Sequence, residues 1–481
     1  MPARLTALDS SFLHLEDNGA HMHVAAVMTF EGEPPAYVDL VGAIEARLHL
    51  VPRYRQRLAF VPLGQGRPRW VDDPHFNARY HIRHTALPAP GSDEELKRLA
   101  ARIFGQQLDR SKPLWELWLV EGLDDNRFAL LSKTHHALVD GVSGVDIVSI
   151  LFDVVPNPDA PGPPPTTPWL PRPVPTQTEL LAEALMERTT VPAEALRGVR
   201  AMTRAPRQVA ERLAGGIAGL GSMALAGLSP APRTLLNVDI GPHRRYTWVD
   251  ADLSRFKAIK SNLGGTVNDV VLTAVTLGLG RWMRERGEDT DGVVLRAMVP
   301  VSVRAETQEG ALGNRVATMW APLPVGVEDP EAAFTEIHEA MRGLKESGQA
   351  VGAETLTQLA DFAPPTIMSQ AARLQARQRF FNLVVTNVPG PQVALYLLGR
   401  RMLALYPVVP LALKQALGIA IMSYDGRLGF GLLADFDALP DLEDIAAHLE
   451  GAIDDLARAA GADDRAGRTG PRRTPTPVAT S

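Results

Sequence analysis

The proline-dense segment from Pro156 to Pro175 divides this sequence into two longer blocks. Proline lacks a backbone N–H and fixes φ, so the segment cannot form a helix or a central strand, and we interpret it as an extended connector. A chain of 481 residues is also too long for one ordinary core. The sequence therefore predicts two domains, one on each side of the connector.

Both blocks alternate strand and helix patterns. In the first block, the predicted strands His23–Phe30 and Phe128–Thr134 enclose helical patterns at Tyr37–Leu50 and Glu94–Leu108. Such alternation predicts two α/β layers. The second block has helical patterns at Thr266–Arg286 and Asp441–Ala459 and strand patterns at Val293–Val303, Asn382–Asn387, Leu417–Ser423 and Leu428–Leu433, the last two joined by an Asp-Gly hairpin turn.

These patterns divide the chain into four segments. We expect a first half at 1–155, a proline-rich linker with a helical crossover at 156–233, a second half at 234–460, and a polar, disordered tail at 461–481.

Composition excludes several classes of protein. The formal net charge of -6 and the pI of about 6.1 argue against a nucleic-acid-binding protein. The chain has no cysteine, which excludes disulfides, thiolate metal sites and a cysteine nucleophile. The segment from Met1 to Leu15 lacks a long apolar run, so no signal peptide is expected, and no stretch reaches the length of a strongly apolar spanning helix. We therefore expect a cytoplasmic protein.

The sequence HHALVDG at residues 135–141 is the strongest chemical feature. Histidine titrates near neutrality, so His136 at the end of a strand can accept a hydroxyl proton and return it to a leaving group. Asp140 follows four residues later, and Gly141 permits a backbone turn there.

Two other interpretations of this segment remain open. In the first, the two histidines are partly buried at a strand end, are held by backbone hydrogen bonds and have only a structural role. Two histidines and an aspartate are also possible metal ligands, but the chain lacks HExxH and has no second cluster of ligands, so we expect no metal.

HHALVDG matches the HHxxxDG signature of the coenzyme A-dependent acyltransferase superfamily, and further segments resemble the bacterial wax ester synthase/diacylglycerol acyltransferase family. The resemblance covers nearly the whole chain up to about residue 455. The segments that carry it are Leu8–Phe12 (LDSSF), Pro113–Trp115 (PLW), Asn268-Asp269, Pro300–Arg304 (PVSVR) and Asn387–Pro391 (NVPGP).

The resemblance implies an α/β fold of two similar chloramphenicol acetyltransferase-like halves with a tunnel between them. It implies that His136 is the general base, that His135 shapes the site, and that Asp140 is structural and pairs with an arginine. We expect Arg304 to be that partner, with a surface arginine as the equal alternative.

Three other segments have expected positions. Pro113, Leu114 and Trp115 are interpreted as a packing element beside the acyl channel. Asn268 either orients the thioester oxyanion or caps its helix, and we favour the cap. Residues 387–391 are expected to form a tight turn at the domain interface.

The function implied by the resemblance is transfer of a long-chain acyl group from acyl-CoA to diacylglycerol, forming triacylglycerol without an acyl-enzyme. Acyl-CoA is a substrate, and no other cofactor is expected. The alternatives are wax ester synthesis with a fatty alcohol, an acceptor linked to a carrier protein, and a lipid-binding protein without catalytic activity.

Contact with the inner membrane or with lipid droplets is expected mainly from the resemblance. Residues 202–228 combine three arginines with a stretch of glycine, alanine and leucine. A helix of this kind either lies on an anionic lipid surface or crosses over the two halves and packs on the core, and we favour packing.

Overall fold

The computed structural model describes two six-stranded sheets and a small three-stranded sheet. The first large sheet is built mainly from the first block of the sequence and the second from the second block. The structure describes residues 3–16, 19–138, 150–157, 169–186, 230–302, 316–346 and 379–462.

The first block contributes four helices and seven strands to the described residues. Short 3₁₀ turns occupy Leu48–Leu50, Pro52–Arg55 and Pro62–Gly64. The helices are α1 (Ala7–Leu15), α2 (Tyr37–Arg47), α3 (Ala78–His81) and α4 (Asp93–Phe104); the strands are β1 (Ala3–Arg4), β2 (His23–Glu31), β3 (Gln56–Ala59), β4 (Arg69–Asp72), β5 (Ile82–Ala86), β6 (Trp115–Leu123) and β7 (Arg127–His135).

The second block follows a segment in which residues 169–176 are neither helix nor strand and residues 177–186 are helical. Its helices are α5 (Leu253–Leu263), α6 (Val267–Glu285), α7 (Pro330–Glu346) and α8 (Leu442–Ala459); its strands are β8 (Arg244–Asp252), β9 (Val294–Ser302), β10 (Val316–Pro324), β11 (Leu383–Val388), β12 (Tyr396–Leu397), β13 (Arg400–Val408), β14 (Leu417–Tyr424) and β15 (Arg427–Asp435).

The strand order shows that the second block contributes two strands to the sheet of the first. The first large sheet runs β12-β13-β2-β7-β6-β5, and the second runs β10-β9-β11-β14-β15-β8. Strands β12 and β13 therefore lie in the first sheet although they come from the second block. β13 pairs antiparallel with β2, which in turn pairs antiparallel with β7.

The strand patterns predicted from the sequence, and the helices predicted at Tyr37–Leu50, Thr266–Arg286 and Asp441–Ala459, are confirmed within a few residues. The helix predicted at Glu94–Leu108 ends earlier, at Phe104. The Asp-Gly turn between β14 and β15 has Asp425 at φ 42° and Gly426 at φ 84°. Two positive φ angles are typical of the tight turns that match the twist of a hairpin. Residues 187–229 and 463–481, which include the helix predicted at 202–228 and nearly all of the predicted tail, lie outside the described residues.

Helix α6 is the centre of the second half. Its sequence is apolar on all sides, which is the pattern of a helix buried all round. Thr273 and Thr276 are fully buried, and their hydroxyl groups donate to the carbonyls of Asp269 and Leu272 at 2.7 Å, so their polarity is satisfied within the helix. α6 thus stands between the second sheet and the outer helices as the core element.

Among the described helices, none is by itself long and apolar enough to cross a membrane. By length and composition alone, α5 and α6 pass that test together, as a pair bent by 98°.

Two glycines of β15 make the contact between the halves. A Cβ atom added to Gly429 would clash with the carbonyl oxygen of Leu405, and one added to Gly431 would clash with that of Pro407. Leu405 and Pro407 belong to β13, so the backbone of β13 lies directly on β15. Any side chain at these positions would force the two strands apart.

We expect Gly431→Ala to lower the free energy of unfolding by about 2 kcal/mol, because overpacking at a backbone contact cannot relax by a side-chain movement. Gly42→Ala is the matched control, since Gly42 lies inside α2 with nothing near its Cβ position. Alanine there should stabilise the helix by up to about 1 kcal/mol. Urea unfolding of both variants tests this, and equal midpoints would contradict the proposed contact.

Candidate active site

His136 lies in the turn that immediately follows β7. Its backbone N–H donates to the carbonyl of Met22 at 2.8 Å, and the N–H of Leu138 donates to the carbonyl of His135, also at 2.8 Å. In the sheet, His135 is paired with His23 of β2. Strand pairing therefore fixes the backbone on which the two motif histidines sit.

The ring of His136 is partly buried and stacks on the ring of Phe12 from α1. The ring centroids are 4.0 Å apart and the planes differ by 25°. Its Nδ1 is buried and has no hydrogen-bond partner among the residues that the structure describes. Burial lowers the pKa of His136 to about 4; its own backbone opposes this shift, and His135 adds to it. His136 is thus neutral at neutral pH and able to accept a proton.

His135 is fully buried, and its ring orientation is fixed by two neighbours. Its Nδ1 accepts a hydrogen bond from the N–H of Ala137 at 3.0 Å, and its Nε2 lies 3.3 Å from Oε1 of Glu16. Because Nδ1 accepts, we assign the ring proton to Nε2, where it faces the carboxylate.

Glu16 ends helix α1, and its side chain is completely buried. Oε1 accepts the N–H of Met22 at 2.8 Å and lies 3.5 Å from Nε2 of His23, and Oε2 accepts from Nε of Arg110 at 3.1 Å. Burial alone would raise the pKa of Glu16, but His135, Arg110 and His23 together hold it well below its usual range. The site therefore contains a buried, ionised carboxylate.

The surroundings of this carboxylate limit the positive charge near it. Burial lowers the pKa of His23 well below its ordinary value, and Lys133 lowers it further. Burial also lowers the pKa of Lys133 to about 8, and its ammonium group donates to the carbonyls of Ile103 and Gln106. Within the described ranges, no group of three or more histidines and carboxylates is arranged to hold a metal ion.

The PLW segment, residues 113–115, packs beside the end of β7. Leu114 is buried, and its carbonyl accepts the N–H of His135 at 3.0 Å. Trp115 is also buried; its indole N–H donates to the carbonyl of Tyr54 at 2.9 Å and its ring stacks on His81. Pro113, which precedes them, is buried as well. All three residues are thus buried in the first half, and their predicted role as a packing element beside an acyl channel stays a prediction.

Asn268 does not cap its helix, contrary to the expectation we favoured. The cap of α6 is Thr266, whose hydroxyl accepts the N–H of Asp269 at 3.2 Å, while the Asp269 carboxylate accepts the N–H of Thr266 at 2.9 Å. Asp269 occupies the third helical position and so can reach back to the cap, as Asn268 at the second cannot. The oxyanion role of Asn268 stays a prediction.

The remaining predicted residues divide into two groups. Asp140, Gly141 and Arg304 lie outside the described residues, so their pairing stays a prediction. The segment 387–391 leads from β11 of the second sheet to β12 of the first, and the Gly390 N–H donates to the Ser423 hydroxyl at 3.1 Å. The predicted tight turn is wrong for Asn387 and Val388, which are the last two residues of β11, and the segment connects strands of the two large sheets.

Glu16 and Arg110 were not predicted as site residues, and helix α1 was not predicted from the sequence. Phe12 and Glu16 are four residues apart, a spacing that places them on one face of a helix. That spacing was the available signal for their joint approach to the motif. The partnership with Arg110, 94 positions away in sequence, had no local signal.

Residues 5–271 match the wax ester synthase/diacylglycerol acyltransferase catalytic domain, and residues 312–457 match the WS/DGAT C-terminal domain. This chain belongs to the wax ester synthase/diacylglycerol acyltransferase family. A relative from Mycobacterium tuberculosis that carries the name diacylglycerol O-acyltransferase is 34% identical over 93% of this chain and 94% of its own length. A second protein of that species with the same kind of name is 32% identical over 94% of this chain and 90% of its own.

The fold of this family is the one described above. The wax ester synthase/diacylglycerol acyltransferase of Marinobacter aquaeolei VT8 superposes with a TM-score of 0.65 and 28% identity, covering 95% of this chain and all of that one. The first condensation domain of the CDA synthetase reaches a TM-score of 0.57 at 16% identity, with 96% and 97% covered, and shares the fold alone. The predicted α/β class with two acetyltransferase-like halves is confirmed, and the tunnel between them stays a prediction.

The pKa of His136 predicts how stability depends on pH. The pKa of His136 is 6.5 in the unfolded chain and about 4 in the folded protein. Below pH 6.5 the unfolded chain therefore binds more protons than the folded protein, so the free energy of unfolding decreases as the pH falls toward 4. Between pH 7 and 4.5 we expect His136→Gln to lose about 2 kcal/mol less than the unsubstituted protein. Urea unfolding at both pH values measures this, and identical losses would contradict the burial of a neutral His136.

Proposed function

We propose that this protein transfers a long-chain acyl group from acyl-CoA to the free hydroxyl of diacylglycerol, forming triacylglycerol. The observation that carries the proposal is a neutral, partly buried histidine held rigidly at a strand end, in a chain that belongs to the wax ester synthase/diacylglycerol acyltransferase family. The two mycobacterial relatives named as diacylglycerol O-acyltransferases support diacylglycerol as the acceptor.

His136 acts as the general base. Its Nδ1 is enclosed, so we assign proton transfer to Nε2. Nε2 takes the proton of the acceptor hydroxyl as the oxygen attacks the thioester carbonyl, and a tetrahedral oxyanion forms. Collapse of this intermediate breaks the carbon–sulfur bond, and the imidazolium returns the proton to the coenzyme A thiolate. The products are the ester and free coenzyme A, and no acyl group is attached to the protein at any stage.

The low pKa of His136 keeps the ring available as a base and favours the second half of this cycle, although it makes the base weaker in the first half. A value of about 4 keeps the ring in its basic form at neutral pH. Once the ring has taken a proton, the imidazolium is a strong acid that gives the proton up readily to a thiolate. Holding both substrates beside one histidine supplies the proximity contribution to the rate.

A long-chain fatty alcohol is the second acceptor that we propose, which would make this protein a wax ester synthase as well. The family name and the Marinobacter relative, whose name covers both activities, favour it. A carrier-linked acceptor has less support, because the condensation domains share only the fold. No cofactor beyond the acyl-CoA substrate takes part in the proposed reaction.

We further propose that the protein acts in the cytoplasm, in peripheral contact with the membrane or with lipid droplets. Diacylglycerol and triacylglycerol both reside in lipid phases, so the acceptor must be taken from one and the product returned to it.

Coenzyme A release from palmitoyl-CoA tests the proposed reaction. Release should require dioleoylglycerol or hexadecanol and fall by about 10²–10⁴-fold in His136→Ala, since that is the usual contribution of a general base. His49→Ala is the matched control, because His49 is an exposed histidine of the same half. A folded His136→Ala protein that keeps alcohol-dependent release would exclude His136 as the base.

The pH dependence of kcat/KM follows from the same pKa. A histidine with an ordinary value of 6.5 would lose about tenfold in its basic form between pH 8 and 5.5. With a value of about 4, His136 stays basic over this range, so kcat/KM for acyl transfer to dioleoylglycerol should change less than about twofold. A steep fall below pH 7 would show that the ring titrates normally.

A further inference from the structure

We infer that Glu16 and Arg110 are positioning residues that fix the proton on His135 and, through it, the orientation of His136. The inference rests on the proposed role of His136 as the base. It assigns a task to a buried carboxylate and a guanidinium that do not touch His136 themselves.

The first connection runs through the ring of His135. Oε1 of Glu16 lies 3.3 Å from Nε2, and Nδ1 on the other side of the ring accepts the N–H of Ala137 at 3.0 Å. Ala137 is the residue that follows His136. A neutral ring with its proton on Nε2 fits both contacts, because a proton on Nδ1 would face the Ala137 N–H donor to donor. The 3.3 Å approach of Nε2 to Oε1 is an electrostatic contact and does not have the geometry of a hydrogen bond.

The second connection runs through the backbone of Met22. The same carboxylate oxygen accepts the N–H of Met22 at 2.8 Å, and the carbonyl of Met22 accepts the N–H of His136 at 2.8 Å. The amide of His136 and the amide of the next residue are therefore both tied to Glu16, each through one intermediate residue. This pair of links fixes the direction in which the His136 side chain leaves the backbone.

The third connection is helix α1. Glu16 anchors the end of this helix against Arg110, whose guanidinium also donates to the carbonyl of Leu13 at 3.2 Å. Phe12, one turn earlier on the same face, stacks on the ring of His136. The docked helix thus limits the movement of the ring as well as of its backbone.

Arg110 balances the negative charge that the Glu16 carboxylate presents to the neighbouring histidines. The ionisable groups around Glu16 and His135 are Arg110, His21, His23, His136 and Lys133. Arg110 pairs with Oε2 and balances the negative charge. Without it, the unbalanced carboxylate would draw a proton onto His135 or His23. A protonated His135 cannot accept from Ala137, so the first connection would break.

Arg110→Gln is the variant that separates positioning from a merely structural contact. At pH 8 its rate should stay within a fewfold of the unsubstituted rate. As the pH falls to 6, we expect kcat to drop by about tenfold, because a histidine facing an unbalanced carboxylate becomes charged in this range. The unsubstituted enzyme should show no such acidic limb.

Glu16→Gln should behave differently, because it removes the charge that attracts the proton. We expect kcat to fall by about 10–100-fold at all pH values with KM nearly unchanged, an effect of the size that outer-shell partners of histidines produce. Glu121→Gln is the matched control: Glu121 also contacts a histidine, His84 at 2.7 Å, but on the surface of the same half. Its rate and pH profile should match the unsubstituted enzyme.

Nitrogen NMR of histidine-labelled protein gives a readout that does not depend on activity. At pH 7 the unsubstituted protein should show His135 neutral with its proton on Nε2, and Arg110→Gln should show a charged ring at pH 6. A proton on Nδ1 of His135 in the unsubstituted protein would overturn the inference even if both variants failed to fold. So would an Arg110→Gln pH profile that overlays the unsubstituted one. Full activity of His136→Ala would instead overturn the proposed function.

Discussion

The ion pair between Glu16 and Arg110 is the interaction on which the arrangement of the candidate site depends. A buried carboxylate without partners is strongly destabilising, and removing one partner of such a pair typically costs about 3–5 kcal/mol. The pair joins the end of α1 to the segment between α4 and β6, and its contacts extend to β2 and β7. Segments remote in sequence are thus held at one strand end, where the motif histidines lie.

Strand β13, which comes from the second block but lies in the first sheet, supports this strand end. β13 pairs with β2, β2 pairs with β7, and β7 leads into His136. Because Gly431 lets β15 lie against the backbone of β13, the second sheet packs directly against the first. A side chain proposed as a catalytic base needs support beyond its own neighbours, and here the support extends from β15 of the second sheet to β7. The second half therefore supports the strand end at which His136 lies.

The residues that sequence reasoning found, and those it missed, differ in how local their signals are. His136 and the Asp425-Gly426 turn were predictable because their patterns lie within a few residues. Strands β8 and β13 were missed because each opens with two arginines, Arg244-Arg245 and Arg400-Arg401, which hide the apolar alternation. Glu16 was missed for a deeper reason: a carboxylate near the start of a chain is ordinarily solvated. Its burial depends on packing with Arg110, and no sequence pattern near either residue predicts that contact.

The position of Glu16 also explains how this site differs from one in which a carboxylate touches the catalytic base. A carboxylate bound directly to Nδ1 of the base orients the ring and stabilises its protonated form. Here the carboxylate contacts His135 instead, and the pKa of His136 is lowered to about 4. An imidazolium formed on His136 is consequently a strong acid, ready to protonate a departing thiolate. In the proposed reaction, a carboxylate that contacts His135 and not His136 can position the base without raising the pKa of the His136 ring.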